Sequence, residues 1–317
     1  MEIRTRFAPS PTGYMHLGNL WIAFLNWLWT RQHKGKVILR IEDIDKQRCS
    51  DIFTRGILHD LEWMGLDYDE GPENQYSYGS TVQSHRLQVY ESILRFLASS
   101  GDIYPCYCTR ARIHQVSSAP HEGEERPVYD GHCRSLTAEE RAKINKKPSW
   151  RMKTEKMDVS FSDLFFGRQV RMIRPGMDDF VVKRADDMIA YQLAASIDDK
   201  AMGITHVLRG NDLIESTFFQ VYLLRKLDSR IPVYGHLPLL IDSNGVRLSK
   251  RQHGITIREL RKDGLTSEDL IGYMLYWAGG ISSLQPVTLN EALSIPFDHF
   301  KYLKNKHIMI SKPVKLM

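Results

Sequence analysis

The chain has 317 residues, of which 42% are apolar and 26% charged, with a formal net charge of +5. That length can bury a full-sized core, read as one large domain with smaller appendages, and the composition is ordinary for a soluble globular protein. No apolar run reaches the roughly 18 residues that a membrane span needs, the N-terminal MEIRTRFAPS lacks a secretory pattern, and a cytoplasmic location is the expectation. The charge is a mild tilt toward polyanionic partners, although a solvated surface of mixed charge has the same signature. Four cysteines are present. Cys106, Cys108 and Cys133 cluster in sequence, and in a cytosolic protein such a group points to metal more than to disulfides.

In chain order, Ile3 to Ala8 reads as a buried strand broken by Pro9, Pro11 and Gly13. A helix follows from about His16, with Leu20, Ala23, Phe24, Trp27 and Leu28 on one face. Val37 to Ile41 is a second strand beyond Gly35, so the unit is βαβ with parallel strands and the helix N-terminus at the crevice where nucleotides bind. Ser50 caps a helix running to Gly65, and another, carrying Leu87, Tyr90, Leu94 and Leu97, follows Ser80. Residues 103–180 read as an insertion, rich in cysteine, proline and charge (His121 to Arg126 above all), then passing into short strands from 151. Strand character returns at Gly203 to Leu208, an amphipathic helix at Ile214 to Leu227, and a strand at Val233 to Leu240. Helices over 256–262 and 267–278 precede a tail rich in Lys and His. The domain expectation is therefore a body over 1–240 interrupted by 103–180, and a helical region over 241–317.

Two motifs carry the chemistry. Ser10-Pro11-Thr12-Gly13-Tyr14-Met15-His16-Leu17-Gly18 sits on a strand-to-helix turn, and Arg247-Leu248-Ser249-Lys250-Arg251 follows the Asn244-Gly245 turn far along the chain. Joining a carboxylate to AMP requires attack on the α-phosphate of ATP, through an anionic transition state that needs cations and donors around the phosphates. His16 at the positive end of a helix, a turn that lets backbone approach the ligand, and Lys250 as a mobile point charge supply them. Taken singly, the first motif is equally a capped helix and the second a plain basic turn.

Together the motifs resemble the two signatures of class I aminoacyl-tRNA synthetases, and the resemblance narrows to the glutamyl branch. Arg4 to Gly13, Arg40-Ile41-Glu42-Asp43-Ile44-Asp45 with Arg48, and Leu208-Arg209-Gly210-Asn211-Asp212-Leu213 match that branch in order. The resemblance implies an α/β fold: a Rossmann-like, parallel-sheet catalytic domain with a zinc-binding insertion and a small C-terminal helical region. It implies ATP with Mg²⁺, and His16 and Lys250 as catalytic residues. The ATP site would comprise His16, Gly18, Asn19, Arg247, Leu248, Ser249 and Lys250, and the L-glutamate site Arg6, Phe7, Ala8, Pro9, Ser10, Glu42, Tyr191 and Arg209. The chemistry agrees, since Arg6 and Arg209 can fork onto carboxylates and Glu42 can pair with the ammonium. The plainer readings are ion pairs for the arginines, Arg40 or Lys46 as partner for Glu42, and packing for Tyr191 with Ile189 and Leu193 as strand neighbours. Cys106, Cys108, Tyr129 and Cys133 resemble the branch's structural Zn²⁺ ligands, with His132 the rival fourth donor and a metal-free reduced cluster the alternative. Asn19 and Arg247 depart from the usual signatures, Arg247 keeping the charge of a Lys.

Within the branch, Gly210 to Thr217 and Val128 to Arg134 are most similar to truncated members that move glutamate onto queuosine at the wobble position of tRNA(Asp). Full-length members continue after the second signature into a helical anticodon-binding domain, for which this chain is expected to have no room. Partners implied are L-glutamate, ATP and queuosine-bearing tRNA(Asp), with a monomer expected and Lys183, Arg184 and Arg225 as candidate RNA-facing cations. The alternatives are a truncated glutamyl-tRNA synthetase charging tRNA(Glu), a non-catalytic paralogue that binds nucleotide or RNA, and a generic nucleotidyltransferase.

Overall fold

The structure is a computed structural model that describes residues 2–117, 129–246 and 255–316. Strand β1 (Arg4–Phe7), helix α1 (Leu17–Gln32) and strand β2 (Lys36–Leu39) form the expected βαβ unit, with β1 and β2 parallel and Arg6 opposite Ile38. α1 begins where His16 leaves extended backbone and its Nδ1 accepts from Asn19 N at 3.3 Å. It is buried nearly all round, as a helix wedged between a sheet and further helices should be. Helix α2 (Asp51–Met64) starts on Ser50, whose hydroxyl accepts from Ile52 N, and stops at Gly65 in the left-handed region at φ 72°. Both ends follow from residues that satisfy orphan backbone groups cheaply. Helix α3 (Leu87–Ser99) buries Tyr90, Leu94 and Leu97.

The next stretch contains strand β3 (Ile103–Cys106), helices α4 (Arg110–Ser117) and α5 (Ala138–Ala142), and strands β4 (Ser149–Met152), β5 (Met157–Asp163), β6 (Gly167–Ile173) and β7 (Val181–Lys183). β3, β4 and β7 make a small antiparallel sheet. The β5–β6 hairpin instead joins the main sheet, where Asp163 pairs with Tyr234 in parallel. The chain then returns through helix α6 (Tyr191–Ala201), strand β8 (His206–Gly210), helix α7 (Ile214–Lys226), strand β9 (Val233–Leu237) and strand β10 (Leu239–Ile241). β8 and β9 are parallel, with Arg209 opposite His236. Thr205 N donates to Arg4 O at 2.9 Å, which joins the start of β8 to β1. Helix α8 (Ile257–Lys262), helix α9 (Ser267–Ala278), helix α10 (Leu289–Leu293) and strand β11 (His307–Met309) complete the described chain, α8 to α10 each opened by a threonine capping box.

Two departures from the sequence reading matter for the site. Tyr191 opens a helix instead of lying in a strand. Leu193, Ala194 and Ile197 are buried on α6 together with Ser196, Asp198 and Asp199, so the helix shows no clean polar face to reveal its period. The C-terminal tail is also not merely a tail, because β11 pairs in parallel with β10. No helix among the described residues is long and apolar enough to cross a membrane.

Candidate active site

The carboxyl ends of β1 and β8 and the start of α1 enclose a cavity of about 560 Å³. Arg6, Phe7, Ala8, Pro9, Ser10, Glu42, Tyr191 and Arg209 all line it, and so do His16, Gly18 and Asn19. Residues from four separate stretches of sequence are thereby brought to one place. Arg247, Leu248, Ser249 and Lys250, with Arg251 to Gly254, lie outside the described residues, as do His121 to Arg126 and Val128. The chain on either side of that second motif is placed. Leu239 and Leu240 line the cavity, and on the far side Leu17 N donates to Ile255 O at 2.9 Å and Ile257 N to Met15 O at 3.1 Å.

Under the β1–β2 side of the cavity runs a buried ionic layer. Asp199 Oδ1 accepts from Arg40 Nη1 at 2.6 Å and from Arg6 Nε at 3.3 Å. Arg40, fully buried, also donates through Nη2 to Glu42 Oε1 at 3.1 Å. Asp198, the neighbouring acid on α6, accepts from Arg86 Nε at 2.7 Å, Gln83 at 2.8 Å and the Tyr90 hydroxyl at 2.8 Å. Burial pulls the Asp199 carboxyl upward, but Arg40, Arg6 and, more weakly, Arg209 together outweigh it and hold it below the usual range. For Glu42 burial wins over Arg40 and Arg6, and its carboxyl sits above the usual range. A carboxylate so desolvated gains most from a further cation. The sequence reading offered Arg40 as a plain partner for Glu42 and an ion pair for Arg6. Both contacts exist, and both residues still face the cavity.

The β8–β9 side is built differently. Arg209 is buried, yet no carboxylate among the described residues comes within ion-pair distance of it. Its donors go to neutral groups: Nη1 to the Tyr191 hydroxyl at 3.1 Å, Nη2 to Thr217 Oγ1 at 2.6 Å, and Nε to His236 Nε2 at 3.3 Å. His236 Nδ1 in turn lies 2.6 Å from Asp163 Oδ2. Burial pushes the His236 imidazole down to about 4 despite Asp163, and the Arg209 charge adds to the fall. The roles of Asp163, Thr217, His236 and Asp199 were not reached from sequence. The one available signal was Asp198-Asp199, two acids inside an otherwise apolar helical stretch.

A second, wider groove of about 790 Å³ shares Ser10, Glu42 and Tyr191 with the first and leads from there to the cysteine cluster. The three thiol sulfurs of Cys106, Cys108 and Cys133 lie within 4.8 Å of one another. The Tyr129 hydroxyl is 3.6 Å from Cys106 Sγ, and it accepts from Cys133 N at 2.9 Å. The His132 side chain is exposed and outside the cluster. Arg151 Nε donates to Cys106 Sγ at 3.3 Å and Arg112 Nη1 to Cys108 Sγ at 3.4 Å. Burial raises the Cys106 thiol, but Arg151, the Cys108 backbone N–H and the Tyr129 hydroxyl together outweigh it and the net shift is downward, while burial pushes Cys108 up to about 12. Three buried or half-buried thiols with a phenol at contact distance are a donor set that suits tetrahedral zinc. Of the candidate RNA-facing cations, Arg184 lines this groove. Arg225 does not. Both its terminal nitrogens are bound to backbone carbonyls of β5, Asp158 O and Ser160 O, so it clamps the hairpin. Lys183 is paired with Glu91 at 2.8 Å.

A nucleotide-type crevice with paired guanidiniums and an acid at its end is the arrangement of an enzyme that adenylates an amino acid, and the chain belongs to the class I tRNA synthetases (E and Q), whose catalytic-domain profile matches residues 2–310. It is 43% identical over 295 residues to the glutamyl-Q tRNA(Asp) synthetase of Symbiobacterium thermophilum, covering 92% of this chain and 91% of that one. It is 44% identical over 287 residues to the protein of the same name in Nitratidesulfovibrio vulgaris, covering 90% and 89%. Among solved structures it is similar to a glutamate tRNA ligase from Elizabethkingia meningosepticum in complex with its amino acid, at 26% identity and a TM-score of 0.78, over 98% of this chain and 67% of that one.

Proposed function

We propose that this protein activates glutamate with ATP and transfers it to queuosine in tRNA(Asp). The observation that carries the amino-acid half is Arg209. A buried guanidinium with no carboxylate in contact is costly unless a ligand supplies the anion. With Arg6 on the facing strand and the desolvated Glu42 between them, the cavity offers two cations for two carboxylates and one acid for an ammonium. That is the charge pattern of free glutamate.

In the activation step the bound α-carboxylate attacks the α-phosphate and pyrophosphate leaves. A carboxylate is already nucleophilic, so no general base is needed. His16, at the N-cap of α1, together with the helix dipole and the cations of the second motif, Lys250 foremost, stabilises the anionic transition state. Gly18 and Asn19 line the nucleotide end, and Mg²⁺ enters with the ATP. The acceptor half rests on the likeness to the two glutamyl-Q enzymes, supported by the wider groove that opens onto the glutamate cavity at Ser10, Glu42 and Tyr191. Arg48, Arg110, Lys146, Lys147 and Arg184 lie along that groove, Arg48, Lys147 and Arg184 paired with Asp45, Asp187 and Asp186, and supply the cations that a single-stranded RNA loop would meet among its mixed charges. Cys106, Cys108 and Cys133 with Tyr129 would hold zinc in a purely structural role, bracing the β3–β4 end of the groove. Replacing Cys133 with Ser is expected to abolish stoichiometric zinc measured by elemental analysis.

Two measurements test the reading. Glutamate-dependent exchange of pyrophosphate into ATP is expected without any tRNA. Labelled glutamate is expected on queuosine-containing tRNA(Asp) and on neither queuosine-free tRNA(Asp) nor tRNA(Glu). Exchange that appears only with tRNA(Glu), or label on tRNA(Glu), replaces it with a tRNA(Glu)-charging enzyme.

A further inference from the structure

We infer that Asp163 and His236 form a positioning pair that fixes the guanidinium of Arg209, and thereby sets the affinity for the amino acid without touching it. The inference rests on the reading of the cavity as a glutamate site. Five elements meet at this point: β5 brings Asp163, β9 His236, β8 Arg209, α7 Thr217 and α6 Tyr191. The sheet itself sets the register, because Arg209 and His236 are direct partners across the β8–β9 ladder and so project to one face.

Donor counting fixes the protons. Asp163 receives four N–H groups: Phe165 N and Phe166 N on Oδ1, both at 3.0 Å, and His236 N at 3.1 Å and His236 Nδ1 at 2.6 Å on Oδ2. The carboxylate is an acceptor throughout, so the imidazole proton is on Nδ1. Nε2 then carries a lone pair, and it faces Arg209 Nε–H at 3.3 Å and the Thr217 hydroxyl at 3.0 Å. The Thr217 oxygen also accepts from Arg209 Nη2, and its own proton has Leu213 O within reach at 2.9 Å. The guanidinium has five N–H donors. Three are committed, to His236, Thr217 and Tyr191, which leaves one on each Nη with no acceptor among the described residues. Those are the donors left for a substrate carboxylate, and their direction is set by the three fixed ones. A proton on Nε2 would oppose Arg209 Nε–H and rotate the fork away.

The test exploits the imidazole's two tautomers. In Asp163→Asn the side-chain amide can donate to Nδ1, which moves the ring proton to Nε2. Pyrophosphate exchange is expected to show the glutamate KM raised about ten- to a hundredfold with the ATP KM within about twofold. Nitrogen NMR of labelled histidine, assigned by loss of the signal in His236→Gln, is expected to show the Nδ1-protonated ring in the parent and the Nε2-protonated ring in Asp163→Asn. Thr217→Val should raise the glutamate KM and Thr217→Ser restore it, and should Asp163→Asn not fold, the parent's ring-proton position together with the glutamate KM of His236→Gln decides the pair. Equal changes in both KMs, a lowered melting temperature with unchanged KMs, or an Nε2 proton in the parent overturns the pair. A parent with no glutamate-dependent exchange at all removes the proposed activity instead, while the ring-proton measurement, which needs no substrate, still decides the geometry.

Discussion

The two walls of the cavity carry their buried charge in opposite ways. Beneath β1 and β2, Arg6, Arg40, Glu42 and Asp199 face one another at 2.6–3.3 Å, a layer largely neutralised by its own members. Along β8 and β9, Arg209 is held by a tyrosine, a threonine and a neutral histidine. The first wall is a scaffold whose charges belong to the fold. The second holds its charge through neutral hydrogen-bond partners, with Asp199 sensing it only at a distance.

Substitutions can separate the two kinds of wall. Arg209→Gln is expected to lower kcat/KM for glutamate in pyrophosphate exchange by about a thousandfold, yet to hold or raise the melting temperature, because it deletes a buried charge with no ion pair to break. Asp199→Asn should do the reverse in emphasis. It leaves Arg6 and Arg40 with one carboxylate fewer, and about 3 kcal/mol of stability should be lost in urea unfolding. Its pH dependence follows from the lowered carboxyl. The stability Asp199 adds is present above its unfolded-state pKa and lost as pH falls through its folded-state value, so variant and parent should converge in acid. A third group sharpens the contrast. Asp60 on α2 is buried with Oδ2 unpartnered, away from the cavity, and burial lifts it to about 6 against Arg261, His59 and Arg258. With a folded-state pKa above the unfolded one, its favourable contribution is complete below about pH 4 and lost as pH rises through about 6. Asp60→Asn should therefore raise the melting temperature at pH 8 by a few degrees and change little at pH 4. An orphan charge costs stability in both places, but only Arg209 should cost activity when removed.

Much of the frame was legible because its causes are local. Ser50 and Gly65 bracket α2, His16 starts α1, and the alternation of β1, α1 and β2 gives the parallel pair within a short stretch of chain. The lining residues were legible through resemblance, which transfers positions but not the groups behind them. Arg40 read only as one candidate partner for Glu42 on a loop and proved to be the centre of a buried layer. His236 and Asp163 carry no local signature, because their roles arise from strands that meet only in the folded sheet. α6 escaped notice because both its faces are covered. β11 escaped because three residues with two exposed side chains carry almost no periodic signal.

The pairing of β11 with β10 has a mechanical meaning. Ile241 and Met309 are register partners, and Asn211 Nδ2 holds Lys306 O at 2.6 Å beside the β8 end of the cavity. Of the described residues between them, Ile255 and Ile257, the first residue of α8, are stitched to the turn around His16, and the chain returns to β10 at this one seam. The long excursion is therefore a closed handle rather than a free arm. The described anchors of that stretch thus lie at two edges of the same cavity, the β8 end and the turn before α1.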